Sequence, residues 1–261
     1  LLLEDGLLVE GTPIGKTGTS GGEICFNTGM TGYQEIYTDP SYYGQIIVNT
    51  TAHIGNYGAL DQEQESSSTK ISGLVVNDFS EEYSRKEAKE SLQKYLERNG
   101  VVGIADVDTR MLVRYIRNKG AMNALISSEL SPEQMKAELK KVPSMNGLEL
   151  SSLVSTKQPY FIGDPQSPLK VAALDLGIKN NILKNLAARG VYIKVFPAKT
   201  SQKEMAEWKP DGYFISNGPG DPAVMDYAIK TVKEAVNSDK PVFGICLGHQ
   251  LLALSCGIST Y

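Results

Sequence analysis

The sequence predicts an α/β protein in two parts: a mixed α/β N-terminal domain, then a doubly wound parallel sheet that is truncated at the C-terminus. Three observations carry that reading. Residues 158–168 hold three prolines and no apolar periodicity, the mark of an extended linker. Beyond them, short apolar runs alternate with amphipathic stretches of helical spacing, as a parallel sheet with crossover helices requires. The last run, 242–245, leads into Gly244-Ile245-Cys246-Leu247-Gly248, a strand feeding a sharp turn into a helix. The expected divisions are an N-terminal domain over 1–157, a linker over 158–168 and the sheet domain over 169–261.

In chain order, the first domain opens with a strand at 1–4 before Asp5-Gly6. Further strands are expected at 23–27, 45–49 and 74–76. A helix over 84–98 is stopped by Asn99-Gly100, and another over 109–118 has Asp108 as N-cap and Gly120 beyond its end. Ser131-Pro132-Glu133-Gln134 reads as a capping box with proline at the first helical position, opening a helix to about 141. After the linker, strands are expected at 171–175, 191–196, 212–216 and 242–246. The intervening helices fall at 178–189, 201–208, 223–237 and 250–254.

At 261 residues the chain can bury two cores. A net charge of −4 gives no reason to expect nucleic acid or an anionic membrane as partner. No apolar stretch approaches the roughly 20 residues of a transmembrane helix, and Leu1-Leu2-Leu3 runs straight into Glu4-Asp5, too short for a signal peptide. The three cysteines form neither a paired framework nor a metal-binding spacing, so no metal site is expected and the cytoplasm is the expected compartment. Cys25 lies in a strand-like run and Cys256 in the last apolar helix; both are expected in the core.

Cys246 is different. Glycines two before and two after it remove Cβ clashes, so the central residue can take strained backbone angles and present its sulfur clear of the sheet. The helix that follows directs free N–H groups toward that sulfur, where they favour negative charge. In an open parallel sheet, ligands bind at the carboxyl ends of the strands. Both Cys246 and the loop Ser216-Asn217-Gly218-Pro219-Gly220-Asp221-Pro222 lie there, after adjacent strands in the simplest winding. The loop's glycines let backbone N–H groups approach a substrate closely, and its prolines fix its path. On the 109–118 helix, Arg110, Arg114 and Arg117 fall at i, i+4 and i+7, opposite Met111, Leu112 and Tyr115. That stripe is either a solvated face or a docking face for an acidic partner.

Taken together, the cysteine elbow and the Ser216–Pro222 loop resemble the class I (triad) glutamine amidotransferases. The first domain narrows the likeness. Phe26-Asn27-Thr28-Gly29-Met30-Thr31-Gly32-Tyr33-Gln34-Glu35, Thr38-Asp39-Pro40-Ser41-Tyr42, His53-Ile54-Gly55-Asn56 and Asp108-Thr109-Arg110 resemble the small, glutamine-hydrolysing subunits of carbamoyl phosphate synthetase. The resemblance implies hydrolysis through a γ-glutamyl thioester on Cys246, with an oxyanion hole from the N–H groups of Leu247 and the Gly218 loop. It also implies that Ser41, Gly218, Gly220, Leu247 and Gln250 hold the substrate glutamine, Ser41 reaching it from the first domain. On the residues alone, Ser41 is a turn residue in Asp39-Pro40-Ser41. No cofactor is implied in this subunit. The implied partner is a large synthetase subunit, which uses ATP and magnesium to make carbamoyl phosphate from bicarbonate and the released ammonia.

One departure stands out. The family's base and orienter are a histidine and a glutamate well downstream of the cysteine, whereas this sequence ends fifteen residues after it and holds only His53 and His249. His249, three residues past the nucleophile, is expected to project away from the sulfur, and His53 matches a structural motif. The wholly apolar run 242–245 suits a strand paired on both sides, yet no strand follows it. The expectation is therefore a truncated or partly ordered version of a longer chain, with loss at the start as well, since no Met precedes Leu1. Two other readings remain: a catalytically silent module that docks on a synthetase, and a different cysteine hydrolase built on the same elbow.

Overall fold

The structure is a computed structural model and describes residues 1–260. It forms two compact units, Leu1–Ser144 and Met145–Tyr261. In the first, the strands are β1 (Leu2–Leu3), β2 (Thr12–Gly15), β3 (Thr19–Asn27), β4 (Ile46–Asn49), β5 (His53–Ile54), β6 (Gly73–Val75), β7 (Asp78–Phe79), β8 (Val102–Ala105) and β9 (Asn123–Ser127). The helices are α1 (Tyr33–Thr38), α2 (Leu92–Arg98), α3 (Thr109–Lys119) and α4 (Pro132–Leu139). Seven strands join one mixed sheet in the order β1-β9-β3-β4-β6-β8-β2, while β5 and β7 pair separately. The sheet's centre is parallel, β3 to β4 to β6 to β8, and β4 is buried along its whole length, as a strand covered on both faces must be.

The expected caps are present. Asp108 accepts the Met111 N–H at 2.8 Å, and Gly120 closes α3 at φ 94°. Ser131 and Gln134 form the reciprocal capping box of α4. Arg110, Arg114 and Arg117 are exposed on α3 while Leu112 and Ile116 are buried; Met111, expected on the inner side, is 39% exposed.

The second unit contains α5 (Ser151–Val154), β10 (Tyr160–Ile162), β11 (Leu169–Asp175), α6 (Asn180–Ala187), β12 (Val191–Pro197), α7 (Gln202–Glu207), β13 (Gly212–Ile215), α8 (Asp226–Val236), β14 (Val242–Gly244) and α9 (Leu247–Ser255). Its sheet runs β10-β12-β11-β13-β14. The pairs β11 with β12, β11 with β13 and β13 with β14 are parallel. Successive residues of β11 feed opposite faces, as strand pleating demands: Ala172 and Leu174 pack with Ile215, Met225 and Leu251, and Ala173 packs with Leu183, Ile193 and Phe214. The doubly wound sheet expected from the alternation is therefore the architecture observed. Strand β14 lies at an edge, with Phe243 65% exposed.

Several expectations need correction. The second unit begins at Met145, ahead of the expected linker, and residues 158–168 are not a free connection. They contain β10, antiparallel to β12 with Tyr160 opposite Val195; the prolines at 159, 165 and 168 flank this edge strand without interrupting its ladder. The helix expected over 84–98 starts only at Leu92. Ahead of it, Ala59 and Glu90 form an antiparallel bridge, Arg85 clamps Glu63 through two hydrogen bonds of 2.6 and 2.9 Å, and Ser91 is the N-cap. The helix expected from 223 begins at Asp226, because Asp221 first caps a short 3-10 turn at Pro222–Val224. Cys256 is exposed at the end of α9. Cys25 is half-buried against the first core, where burial, with Glu23 beside it, pushes its thiol up to about 12.

Candidate active site

The parallel register of β13 and β14 sets Ile215 opposite Gly244, so the segments that follow them, Ser216–Pro222 and Ile245–Gly248, leave the sheet side by side. Ile245 N–H still reaches Ile215 O at 3.1 Å. Cys246 then adopts φ 52°, ψ −113°, a conformation that costs a non-glycine residue about 1–3 kcal/mol and persists only where its surroundings enforce it. The enforcement is steric. A Cβ on Gly244 would lie 2.6 Å from the Gly248 carbonyl group, and one on Gly248 would lie 2.2 Å from Ile215 O. Helix α9 therefore starts immediately at Leu247, hard against the strand ends, and Gln250 N–H closes its first turn on Cys246 O at 3.0 Å. Cys246 is exposed.

The neighbouring loop is held from beneath. Ser216, fully buried, accepts Leu176 N–H at 2.9 Å and donates to Asn217 O at 2.7 Å. Asn217, also buried, donates to Gly177 O at 2.9 Å and accepts Lys179 N–H at 3.3 Å. Gly218 approaches the Leu176 carbonyl so closely that a Cβ would fall 2.0 Å from its oxygen and 3.0 Å from Leu247 Cδ2. The loop and the elbow thus meet at Gly218 and Leu247. Among the described residues, the backbone N–H groups of these two residues donate to no protein acceptor. Such unpaired donors at a turn and a helix start are available to an anion.

Of the residues singled out from sequence, Gly218, Gly220, Cys246, Leu247 and Gln250 fall in this one region of the second unit, with Leu247 buried and Gln250 half-buried. Ser41 lies in the first unit, in the 3-10 turn Pro40–Tyr42, its N–H donating to Asp39 Oδ1 at 2.9 Å. His53, also in the first unit, is exposed and sits 2.6 Å from Asp78 Oδ2. His249 is exposed on α9.

Sequence reasoning missed a supporting carboxylate, Asp175 at the end of β11. It is buried, takes the Gly177 and Ile178 N–H groups on Oδ1 at 2.9 and 2.8 Å, and takes Thr156 N–H on Oδ2 at 2.7 Å. The signal for it was an aspartate closing a buried parallel strand two residues before a glycine, the pattern of a side chain bonding the next turn. Also missed was the segment around Ser151, whose buried hydroxyl binds the loop at Pro219 O.

No helix among the described residues is long and apolar enough to cross a membrane. Residues 1–126 match the family model for the carbamoyl-phosphate synthase small chain, CPSase domain, and residues 172–261 match that for class-I glutamine amidotransferases. The whole chain aligns with carbamoyl phosphate synthase small chains: 47% identity to that of Chlorobaculum tepidum, 46% to that of Salmonella typhi and 45% to that of Escherichia coli strain K12. In each case it covers 72% of the relative's length. With an amidotransferase elbow at the strand ends of the second unit and this similarity along its full length, the chain belongs to the family of carbamoyl phosphate synthase small chains.

Proposed function

We propose that this chain is the glutamine-hydrolysing subunit of a carbamoyl phosphate synthase, with Cys246 as its nucleophile. The sulfur attacks the side-chain amide carbon of glutamine; the carbonyl oxygen takes the negative charge and is received by the Gly218 and Leu247 N–H groups. Collapse of that intermediate breaks the carbon–nitrogen bond, releases ammonia with the added proton and leaves a γ-glutamyl thioester, which water converts to glutamate and free thiol. One such oxyanion donor typically stabilises the transition state by about 3–4 kcal/mol. Gly220 and Gln250 would line the glutamine site, and Ser41 would contribute a hydroxyl from the first unit. The base and its orienter are, by family resemblance, a histidine and a glutamate downstream of the cysteine.

Ammonia would pass to a large synthase subunit, which uses ATP and magnesium; the small chain needs no cofactor for its own step. The observation that carries the reading is the positive-φ backbone of Cys246 beside two unpaired N–H groups. Its test is Cys246→Ser in the full-length chain complexed with the large subunit. Glutamine-dependent synthesis should vanish while ammonia-dependent synthesis persists. Near-normal glutamine hydrolysis by that variant would remove Cys246 from the mechanism.

A further inference from the structure

The stretch from Gly147 to Thr156 holds no cysteine, histidine or lysine, yet it grips the Ser216–Pro222 loop at four points. Asp221 N–H donates to Leu148 O at 2.9 Å, and Gly147 N–H donates to Asp221 Oδ2 at 2.9 Å. Ser151 Oγ donates to Pro219 O at 3.0 Å. Gly220, at φ 93°, lies so near that a Cβ would fall 2.7 Å from Leu148 O and 2.9 Å from Leu150 N. The stretch is itself anchored: Glu149 accepts from Ser152 N–H and from the Tyr227 hydroxyl, each at 2.9 Å. Farther along, Ser155 Oγ accepts Ala198 N–H at 2.9 Å, and Thr156 N–H meets the buried Asp175 carboxylate.

Gly218 stands between two sets of restraints. Upstream, Ser216 Oγ holds the Asn217 carbonyl oxygen. In a trans peptide the N–H of the next residue points the opposite way, so that bond helps set the direction of the Gly218 donor. Downstream, two glycines in three residues favour a loop that can swing, and the grip at Pro219, Gly220 and Asp221 opposes this. An oxyanion donor accelerates the chemical step only when it is already oriented and need not reorganise.

We propose that the 147–156 strap belongs to the glutaminase machinery, holding the Gly218 N–H in its productive direction, with Asp221 and Ser151 as positioning residues. The inference rests on the glutaminase reading above. Its test is Asp221→Ala and Ser151→Ala in the full-length small chain complexed with the large subunit, assayed beside the wild type. Glutamine hydrolysis should lose roughly tenfold or more in kcat, the scale expected when a catalytic group is displaced by a fraction of an ångström, with KM changed less than about twofold. Affinity for the γ-aldehyde analogue of glutamine, whose thiol adduct carries an oxyanion, should fall in step with kcat, and ammonia-dependent synthesis serves as the control for assembly.

Unchanged kcat, a loss confined to KM, or an equal loss of ammonia-dependent synthesis would each overturn the proposal. Ser151→Ala deletes a single oxygen and decides the matter if Asp221→Ala does not assemble. If the wild-type complex itself releases no ammonia from glutamine, the glutaminase reading fails. If the wild type does so and both variants match it, the strap proposal fails alone.

Discussion

Strand β3 holds a cysteine within its ladder and strand β14 leads to one just beyond its end, and the two are treated in opposite ways. Cys25 lies within β3, in parallel register with Ile47, and its thiol is pushed up to about 12, chiefly by burial. Cys246 lies two residues past the end of β14, at positive φ, exposed, at the start of a helix. The two are chemically the same residue. A cysteine inside a ladder is a small core side chain, whereas one displaced past the strand end by flanking glycines stands open to solvent.

Alkylation separates the two cysteines most strongly. At pH 8 the raised Cys25 pKa lowers its thiolate fraction about a thousandfold relative to an ordinary thiol of pKa near 8.5. Iodoacetamide on the folded protein should therefore label Cys246 and the exposed Cys256, with Cys25 appearing only after denaturation, as read from peptide masses. Comparable labelling of Cys25 in the native state would erase the distinction.

Next in size is Gly248→Ala. The added methyl meets Ile215 O at 2.2 Å, so either α9 or β13 must shift. The expected result is a hundredfold or greater fall in glutamine hydrolysis, together with about 1–3 kcal/mol of destabilisation, the usual cost of overpacking. Wild-type turnover in this variant would show that the elbow tolerates a wider gap between helix and strand.

A smaller effect is expected at Ser41. If its hydroxyl bonds glutamine, Ser41→Ala should raise KM more than it lowers kcat, by about 0.5–1.5 kcal/mol. Unchanged kinetics would return Ser41 to its role in the Pro40–Tyr42 turn, where its N–H already bonds Asp39.

The smallest concerns Glu149. Partial burial opposes its charge, but hydrogen bonds from Ser152 and Tyr227 outweigh that and hold its carboxyl below the usual value. A depressed folded-state pKa contributes stability that is complete above the unfolded value of about 4.3 and is lost as pH falls through the folded one. Glu149→Gln should therefore narrow the stability difference between neutral and acidic solution, as read by denaturant unfolding at pH 7 and pH 3.5. An identical pH dependence in the two proteins would show that the carboxylate makes no net contribution there.

The two units also differed in how far their sequences could be read. In the second, β11, β12 and β13 are apolar runs between well-marked helices, so the alternation of strand and helix from β11 onward and the place of the elbow followed from pattern alone. In the first, β2, β8 and β9 escaped because their partners are remote in the chain. Thr12 pairs with Ala105 and Thr19 with Ser127, and β2 even carries Pro13, which its position at the sheet edge permits. Strand β10 was hidden among prolines. At the site, Cys246, Gly218 and Leu247 were legible because their glycine spacing has a local steric cause. The strap was not: Ser151 and Ser155 are ordinary polar residues in a stretch without periodicity, and only the fold reveals that both are buried against other segments.

Glutamine hydrolysis through Cys246 requires the strained cysteine after β14 to carry the glutamyl group during turnover. Rapid acid quench of the full-length complex working on saturating glutamine, followed by peptide mass analysis, tests it directly. The expected result is a γ-glutamyl mass increment on the peptide containing Cys246, absent in Cys246→Ser. An increment on any other residue, or steady turnover with none on Cys246 at any quench time, would contradict it.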